Sequence, residues 1–574
     1  MLLLCDLSLI AAQVVSILSP HIFPFTTSNL CYLKGAENFY PPQTIFSFIS
    51  LKMPICKPYD DVAWAISTQI WKDWPELLRT DEDIYNDIGI ILSEEFSDLQ
   101  WELFEFLSTG GFNVCFKMNF TNNFCAVIRF PLPGAVMLPE EKVRNEVSAM
   151  QFILEKTADQ MPIRVPSVFR SVETKESTSD LGPLIIMNYI QHKESMSDLL
   201  EAPGREAGEN PVLNPGLELV RLESLYKELA KISLSLATLS LSRIGSLHKN
   251  NNSIWESSCR PLSYSMNEIV QLGTLPRSEL PTTTYDKASS YFEALAELHL
   301  SHLKSQRNEA DIEADIDIDV LADTFRRRFV ARFLFRKLVR NPEQRRQWIL
   351  HDNGPFPVWC DDFRPENVLI DETEKVIGVV DWEFTYTAPV EFTYAPPWWL
   401  LLKKPEDWPG GLDEWCAEYE KPLQTFLGAM RKCEDEAIQN KQLLQSQRLS
   451  SQMRDSWQSG NFWIMYAARH NFAFDAIYWE KIDQRFFGKT EIADDNNRDV
   501  WRKRLHLLEH GEKKLMEEYV ALKLKERSIG RLTWDPDEYT VGWIQRMKEI
   551  RWKEMEREEK ERVERERMEI CAES

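Results

Sequence analysis

The stretch that most constrains this chain runs from Val358 to Glu383. Two β-branched runs, Val368 to Ile370 and Val376 to Val380, flank the polar segment Asp371 to Lys375. That pattern predicts a tight antiparallel hairpin. A hairpin returns the chain to its starting point, so Asn367 and Asp381 are expected together at its open end. Asp362 falls on the loop just before it. Two carboxylates and an amide oxygen gathered in this way are hard oxygen donors and proton acceptors, suited to Mg²⁺ and phosphate chemistry.

The spacing Asp362-x-x-x-x-Asn367, followed by a strand ending in Asp381-Trp382-Glu383, resembles the catalytic loop and metal-binding Asp of the kinase-like fold. Asp-Trp-Glu in place of Asp-Phe-Gly is similar to the aminoglycoside phosphotransferase family, which takes in choline-kinase-like enzymes. The resemblance implies an α+β, bilobal protein-kinase-like fold, with a small antiparallel-sheet N-lobe and a large, mostly helical C-lobe. It makes Asp362 the catalytic base for an acceptor hydroxyl, and Asn367 and Asp381 the Mg²⁺ ligands beside the phosphates of ATP. The register selects Asp362, five residues before Asn367, over Asp361, six before. One departure stands out: Cys360 occupies the place two residues before the base where the family usually has His. A thiol does not supply an imidazole's hydrogen bonds.

At 574 residues the chain has room for two lobes and additions. Its 67 Lys and Arg against 90 Asp and Glu leave a net charge of −23, a poor balance for tracking a nucleic-acid backbone. A hydrophobic content of 43% with 19 Trp argues for a packed globule. Neither the ten Cys nor the nine His fall into a Cys-x-x-Cys or HExxH pattern, so zinc and disulfide frameworks are poorly supported, and a reducing, cytoplasmic setting fits best.

From the N-terminus, residues 1–52 read as an extension. Leu2 to Leu18 is apolar but carries Asp6 and Gln13, and no Lys or Arg precedes Lys34. Neither a signal peptide nor a spanning helix is expected; weak membrane association of the apolar segment stays open, and the preferred reading is a segment without function, an over-extended start upstream of Met53. Residues 53–190 are assigned to the N-lobe. From Asp60 to Leu107 the pattern reads as helical, with apolar faces marked by Trp64, Ile70, Trp71 and Trp74, and again by Trp101, Phe104 and Leu107. Gly110 and Gly111 then open a hairpin of Val114 to Met118 with Phe124 to Phe130, which resembles the flap that covers the nucleotide; the glycines permit close backbone approach to phosphates. In that resemblance Arg129 stands where kinases place the strand Lys, and Glu146, on a helix from Glu140 to Lys156, is its partner. Leu184 to Ile190 is similar to the hinge, where the backbone of Asn188, Tyr189 and Ile190 would meet the adenine edge.

Residues 191–535 are assigned to the C-lobe. Residues 201–216 read as a linker or loop, and Leu222, Leu225, Leu229 and Ile232 begin a long helix. Arg243 to Leu247 with Pro261-Leu262 is similar to a small hairpin of fungal members of the family. Thr282 to His302 is a further helix, residues 308 to 319 form an acidic loop, and Phe325 to Arg340 is a basic amphipathic helix leading toward the catalytic loop. Trp398 and Trp399 are either stacking groups for an acceptor or core anchors, and the aromatic run from Phe462 to Trp479 is a candidate cleft wall. Residues 536–574 are assigned as a charged tail, a solvated helix without sustained apolar heptads. The expected activity is phosphate transfer from ATP with Mg²⁺ to a hydroxyl of a small molecule. The alternative is a catalytically silent kinase-like module that binds nucleotide or protein, for which Cys360 is the motive.

Overall fold

A computed structural model of the chain describes residues 59–158, 163–173, 181–205, 209–273, 275–306, 317–488, 499–526 and 536–573. The expectations for residues 1–52, and for the acidic run up to residue 316, fall outside the described residues. Five strands form one antiparallel sheet: β1 (Trp101–Thr109), β2 (Asn113–Phe120), β3 (Cys125–Pro131), β4 (Val168–Val172) and β5 (Leu184–Asn188). Their spatial order is β1-β2-β3-β5-β4, so β3 lies at the centre. The α+β expectation holds: the remainder is mostly helical, with short strands around the hairpin Val368–Val379.

Alternation explains how the sheet presents its two faces. On β2, Val114, Phe116, Met118 and Phe120 are buried on one face, and on β3 Ala126, Ile128 and Phe130 join them. They pack with Trp74, Leu78, Ile84, Ile88 and Leu92, which come from the helices Asp61–Thr80 and Glu82–Glu95. Val127, one residue off that face, belongs with Val143, Ile185 and Met187 in a second cluster. Arg129 shares the parity of Val127 and so points away from the helices Asp61–Thr80 and Glu82–Glu95. The helix Pro139–Thr157 lies on this second side.

One segment departs from the expectation. Trp101 to Leu107, read as a helical face, is the edge strand β1. Two irregularities in its pairing with β2, at Trp101/Leu103 and Phe106/Ser108, break the two-residue alternation, and its exposure is mixed on both faces. Bulges of this kind remove the periodicity that identifies a strand.

In the helical part, the strand Phe356–Cys360 pairs with Thr385–Thr387 on one side and Ser240–Leu241 on the other. The hairpin Val368–Ile370 with Val376–Val379 is antiparallel, as expected, and a third strand, Glu194–Ser195, adds to it from just beyond the sheet. The basic helix Ile318–Arg340 does not offer a free cationic face. Arg328 and Arg332 are buried against Asp475, at 3.1 and 2.7 Å.

The terminal helix Glu538–Glu573 corrects the picture of a solvated tail over its first turns. Trp543 is 3% exposed and meets Trp74 edge to face at 5.3 Å. Tyr539 Oη donates to the Pro131 carbonyl (2.7 Å) and Thr540 Oγ1 accepts from Gly134 N (2.9 Å). From residue 551 to 571 every residue is exposed.

Candidate active site

The candidate site forms where the central strand of the sheet faces the hairpin Val368–Val379. The strand Phe356–Cys360 ends in a turn that carries Asp361 and Asp362, and a short helical turn, Pro365–Asn367, leads into the hairpin. Val380 N donates to the Asn367 carbonyl at 2.9 Å, which closes the open end and sets Asp381 beside Asn367. Asp381 adopts φ +58°, a left-handed backbone that Asp tolerates better than most residues.

Asp361 and Asp362 differ in their surroundings. Asp361 accepts from Trp359 Nε1 (2.6 Å), Tyr264 N (3.1 Å) and Tyr386 Oη (3.3 Å), with Arg469 at 3.7 Å. These contacts tie the strand to neighbouring helices. Asp362 has weaker contacts: Arg364 Nε at 3.5 Å and Asn367 Nδ2 at 3.4 Å. The same Nδ2 donates to the Asp362 carbonyl at 2.9 Å, turning the amide oxygen of Asn367 away from it. Burial pushes the Asp362 carboxyl up to about 6; Arg364 opposes this, and the negative charges of Glu383 and Asp381 add to it.

Arg129 reaches across from β3. Its Nη1 lies 2.7 Å from Glu146 and 2.8 Å from Asp381, and its Nη2 3.3 Å from Glu383. Sequence reasoning paired Arg129 with Glu146 but missed Lys142, one helical turn before Glu146. The i, i+4 spacing was the available signal. Lys142 is buried, contacts Glu383 directly, and donates to Asn113 Oδ1 at 2.8 Å. Asn113 Nδ2 in turn donates to Glu383 at 3.0 Å. Burial opposes ionisation of Glu383, yet Lys142 and Arg129 overcome it and hold this carboxyl below its ordinary range. Glu146 is shifted the other way, because burial outweighs the pull of Arg129 and Lys142.

Two cations, Arg129 and Lys142, thus face three carboxylates, Glu146, Asp381 and Glu383. Asp381 is the open one, with its side chain 38% exposed against 1% and 3% for the other two. An excess of negative charge that ends on an accessible carboxylate, next to an amide oxygen, suits a hard divalent cation that keeps its remaining positions for water and phosphate.

Gly110 and Gly111 link β1 to β2 at the exposed lip of the sheet. A Cβ on Gly111 would meet nothing within 4 Å, and one on Gly110 only Asn113 O at 3.8 Å. The protein's own packing therefore does not demand glycine there. Trp71 Nε1 donates to the Gly110 carbonyl (2.9 Å), so the helix behind the sheet steadies the turn.

The hinge segment lies beside the hairpin. A Cβ on Gly378 would lie 2.5 Å from Ile190 Cδ1, so a larger residue there would make the Ile190 side chain shift. The backbone edge expected to meet adenine is partly engaged. Asn188 N donates to Ser167 O (3.1 Å), Tyr189 N donates to Cys125 O (2.8 Å), and the Ile190 carbonyl lies 2.8 Å from His192 Nδ1. Cys360 is buried, with its thiol directed at the carbonyl oxygens of Glu383 (3.7 Å) and Asp381 (4.0 Å).

A small antiparallel sheet joined to a larger helical part, with the two meeting at these carboxylates, defines a bilobal kinase-like fold. Residues 273–422 match the family model described as "Phosphotransferase enzyme family". The chain resembles that family through this segment, which contains Asp362, Asn367 and Asp381 and begins after Arg129 and Glu146. No curated protein sequence matches significantly. Among solved structures, a macrolide 2′-phosphotransferase type I is 12% identical, covering 69% of this chain and 95% of its own, with a TM-score of 0.31. A choline kinase from Streptococcus pneumoniae is 12% identical, with 76% and 99% covered and a TM-score of 0.30. An amicoumacin kinase in complex with AMP-PNP, Ca²⁺ and Ami is 10% identical, with 78% and 95% covered and a TM-score of 0.31.

Among the described residues no helix is long and apolar enough to cross a membrane. No group of three or more His, Cys, Asp or Glu is placed to hold a metal ion among them either.

Proposed function

We propose that this phosphotransferase moves the terminal phosphate of ATP to a hydroxyl of a small molecule. The observation that carries the reading is the convergence of Asp362, Asn367, Asp381 and Arg129 where the sheet faces the catalytic hairpin. In this reading Asp362 orients the acceptor hydroxyl and takes its proton as the bond to phosphorus forms. Its raised affinity for a proton, set by burial, places it nearer neutrality than an ordinary carboxylate, which favours proton transfer at physiological pH. Arg129 supplies fixed positive charge to the nucleotide phosphates, and Glu146 and Glu383 hold its guanidinium in place.

Asn367 and Asp381 are the residues that would hold Mg²⁺, a donor set that fits a hard cation shared with phosphate oxygens. When bound, the cation would neutralise charge on the phosphates. The open turn at Gly110 and Gly111 would lie over those phosphates, and the segment Asn188 to Ile190 would flank the base.

Cys360 favours a second reading, a kinase-like module that binds nucleotide or protein without turnover, because its thiol makes only long contacts to the Asp381 loop. The test is thermal unfolding with and without Mg²⁺ and ATP, on the wild type and on Asp381→Ala, followed by turnover measurements on Asp362→Asn. A metal-dependent rise in Tm that Asp381→Ala abolishes supports the nucleotide site. Loss of phosphate transfer in Asp362→Asn with that shift retained supports the enzyme. Absence of any shift at saturating nucleotide overturns the reading.

A further inference from the structure

Strand β3 carries Arg129, and the helix Pro139–Thr157 carries Lys142 and Glu146. The segment that joins them, residues 132–138, is buried except at its last residue. A buried loop has to pair its backbone polar groups, and local bonds do only part of this. Ala135 N and Val136 N donate to the Leu132 carbonyl, at 3.3 and 3.1 Å. Gly134 N donates instead to Thr540 Oγ1 (2.9 Å), 406 residues further along the chain, and the Pro131 carbonyl accepts from Tyr539 Oη (2.7 Å). Thr540 is itself fixed, being fully buried with its N–H donating to Asp537 Oδ1 at 3.0 Å. Gly134 has little room to retreat: its φ is +77°, and a Cβ there would lie 2.9 Å from Ile70 Cδ1 on the helix Asp61–Thr80.

Two further contacts lead from the same turns toward the site. Trp543 meets Trp74, and Arg551 lies 2.7 Å from Asp73, both on the helix Asp61–Thr80. One turn earlier on that helix, Trp71 holds the carbonyl of Gly110. Pro131 pairs in the sheet with Asn113, the residue that bonds both Lys142 and Glu383.

We infer that Tyr539 and Thr540 are positioning residues for the nucleotide site. They fix the buried segment between Arg129 and Glu146, and with it the ion pair that aims the guanidinium at the phosphates. The inference rests on the phosphotransferase reading. It gives the first turns of the terminal helix a part in nucleotide binding in addition to their share of stability.

The full chain, Thr540→Val, Thr540→Ser, Tyr539→Phe and a truncation after residue 556 are titrated with ATP and Mg²⁺ by isothermal titration calorimetry, well below their unfolding temperatures. Thr540→Val and Tyr539→Phe are each expected to weaken ATP roughly three- to tenfold, the range of a coupling carried through packed contacts. Thr540→Ser keeps the hydroxyl and the truncation keeps the docked turns, so both are expected to bind within about twofold of wild type. Amide hydrogen exchange at residues 110–113 and 134 is expected to rise in Thr540→Val. A lowered Tm with wild-type ATP affinity, in Thr540→Val and Tyr539→Phe alike, overturns the inference and leaves the phosphotransferase reading standing. Equal weakening in Thr540→Ser and Thr540→Val also overturns it, because the hydroxyl then plays no part. Should Thr540→Val not fold, Tyr539→Phe, which loses a single oxygen from a half-buried ring, decides by the same measure. Absence of ATP binding by the wild type removes the reading on which the inference rests, and the inference with it.

Discussion

The guanidinium of Arg129 lies 2.8 Å from the carboxylate of Asp381, a residue 252 positions further along the chain. This ion pair joins the central strand of the sheet to the hairpin of the helical part. Glu146 and Glu383 complete a partly buried cluster around it.

Removing one partner from a buried cluster leaves the others uncompensated, at a cost of about 3–5 kcal/mol. Arg129→Met is therefore expected to destabilise the protein by about that amount in urea unfolding, and to abolish nucleotide-dependent stabilisation. Arg129→Lys should recover only part of both, because one ammonium cannot span three carboxylates that a guanidinium fork reaches together.

The pH dependence of stability follows from Asp362. Its carboxyl is raised from 3.8 to about 6, so the folded state holds a proton that the unfolded state releases earlier. The contribution of this group is fully present below about pH 4 and is lost as pH rises through about 6. Asp362→Asn removes that dependence. Relative to wild type, the variant is expected to gain up to about 3 kcal/mol between pH 4 and 8, measured by denaturant unfolding at each pH. Turnover of the wild type should rise through about pH 6 as the base ionises.

Cys360 tests whether the missing imidazole disables the site. The strand Phe356–Cys360 is held in register by Val358 with Thr387, Trp359 with Tyr386 and Cys360 with Thr385, contacts that do not depend on the thiol. Cys360→Ala is expected to cost about 1–2 kcal/mol for the small cavity and to keep the metal-dependent thermal shift. Loss of that shift would make the thiol a necessary support of the Asp381 loop.

The terminal helix divides into a docked and a free part. Trp543→Ala is expected to destabilise the protein by about 3–5 kcal/mol, as for a large buried aromatic side chain. Truncation after residue 556 removes a stretch that is exposed throughout residues 557–571 and is expected to change stability by less than about 0.5 kcal/mol, read by thermal unfolding of the two variants side by side.

What the amino-acid order determined by itself was local. The pairing of Val368 with Val379, the clustering of Asn367 with Asp381 and the hairpin of β2 with β3 each lie within a single hairpin, where β-branched runs and a polar turn suffice to specify the geometry. The Arg129–Glu146 pair was legible through the resemblance to a known family rather than through any pattern of residues. The rest was decided by tertiary structure, because it depends on which distant surfaces exclude water together. Lys142 and Asn113 look like ordinary surface residues until the Glu383 loop covers them, and Arg328 and Arg332 look like a solvated face until Asp475 arrives. Trp101 to Leu107 reads as a helix because two irregularities in strand pairing erase its alternation, and Trp543 becomes a core residue only when Trp74 is presented to it. Burial is a property of the assembled chain, and the ionisation of Asp362 follows from it.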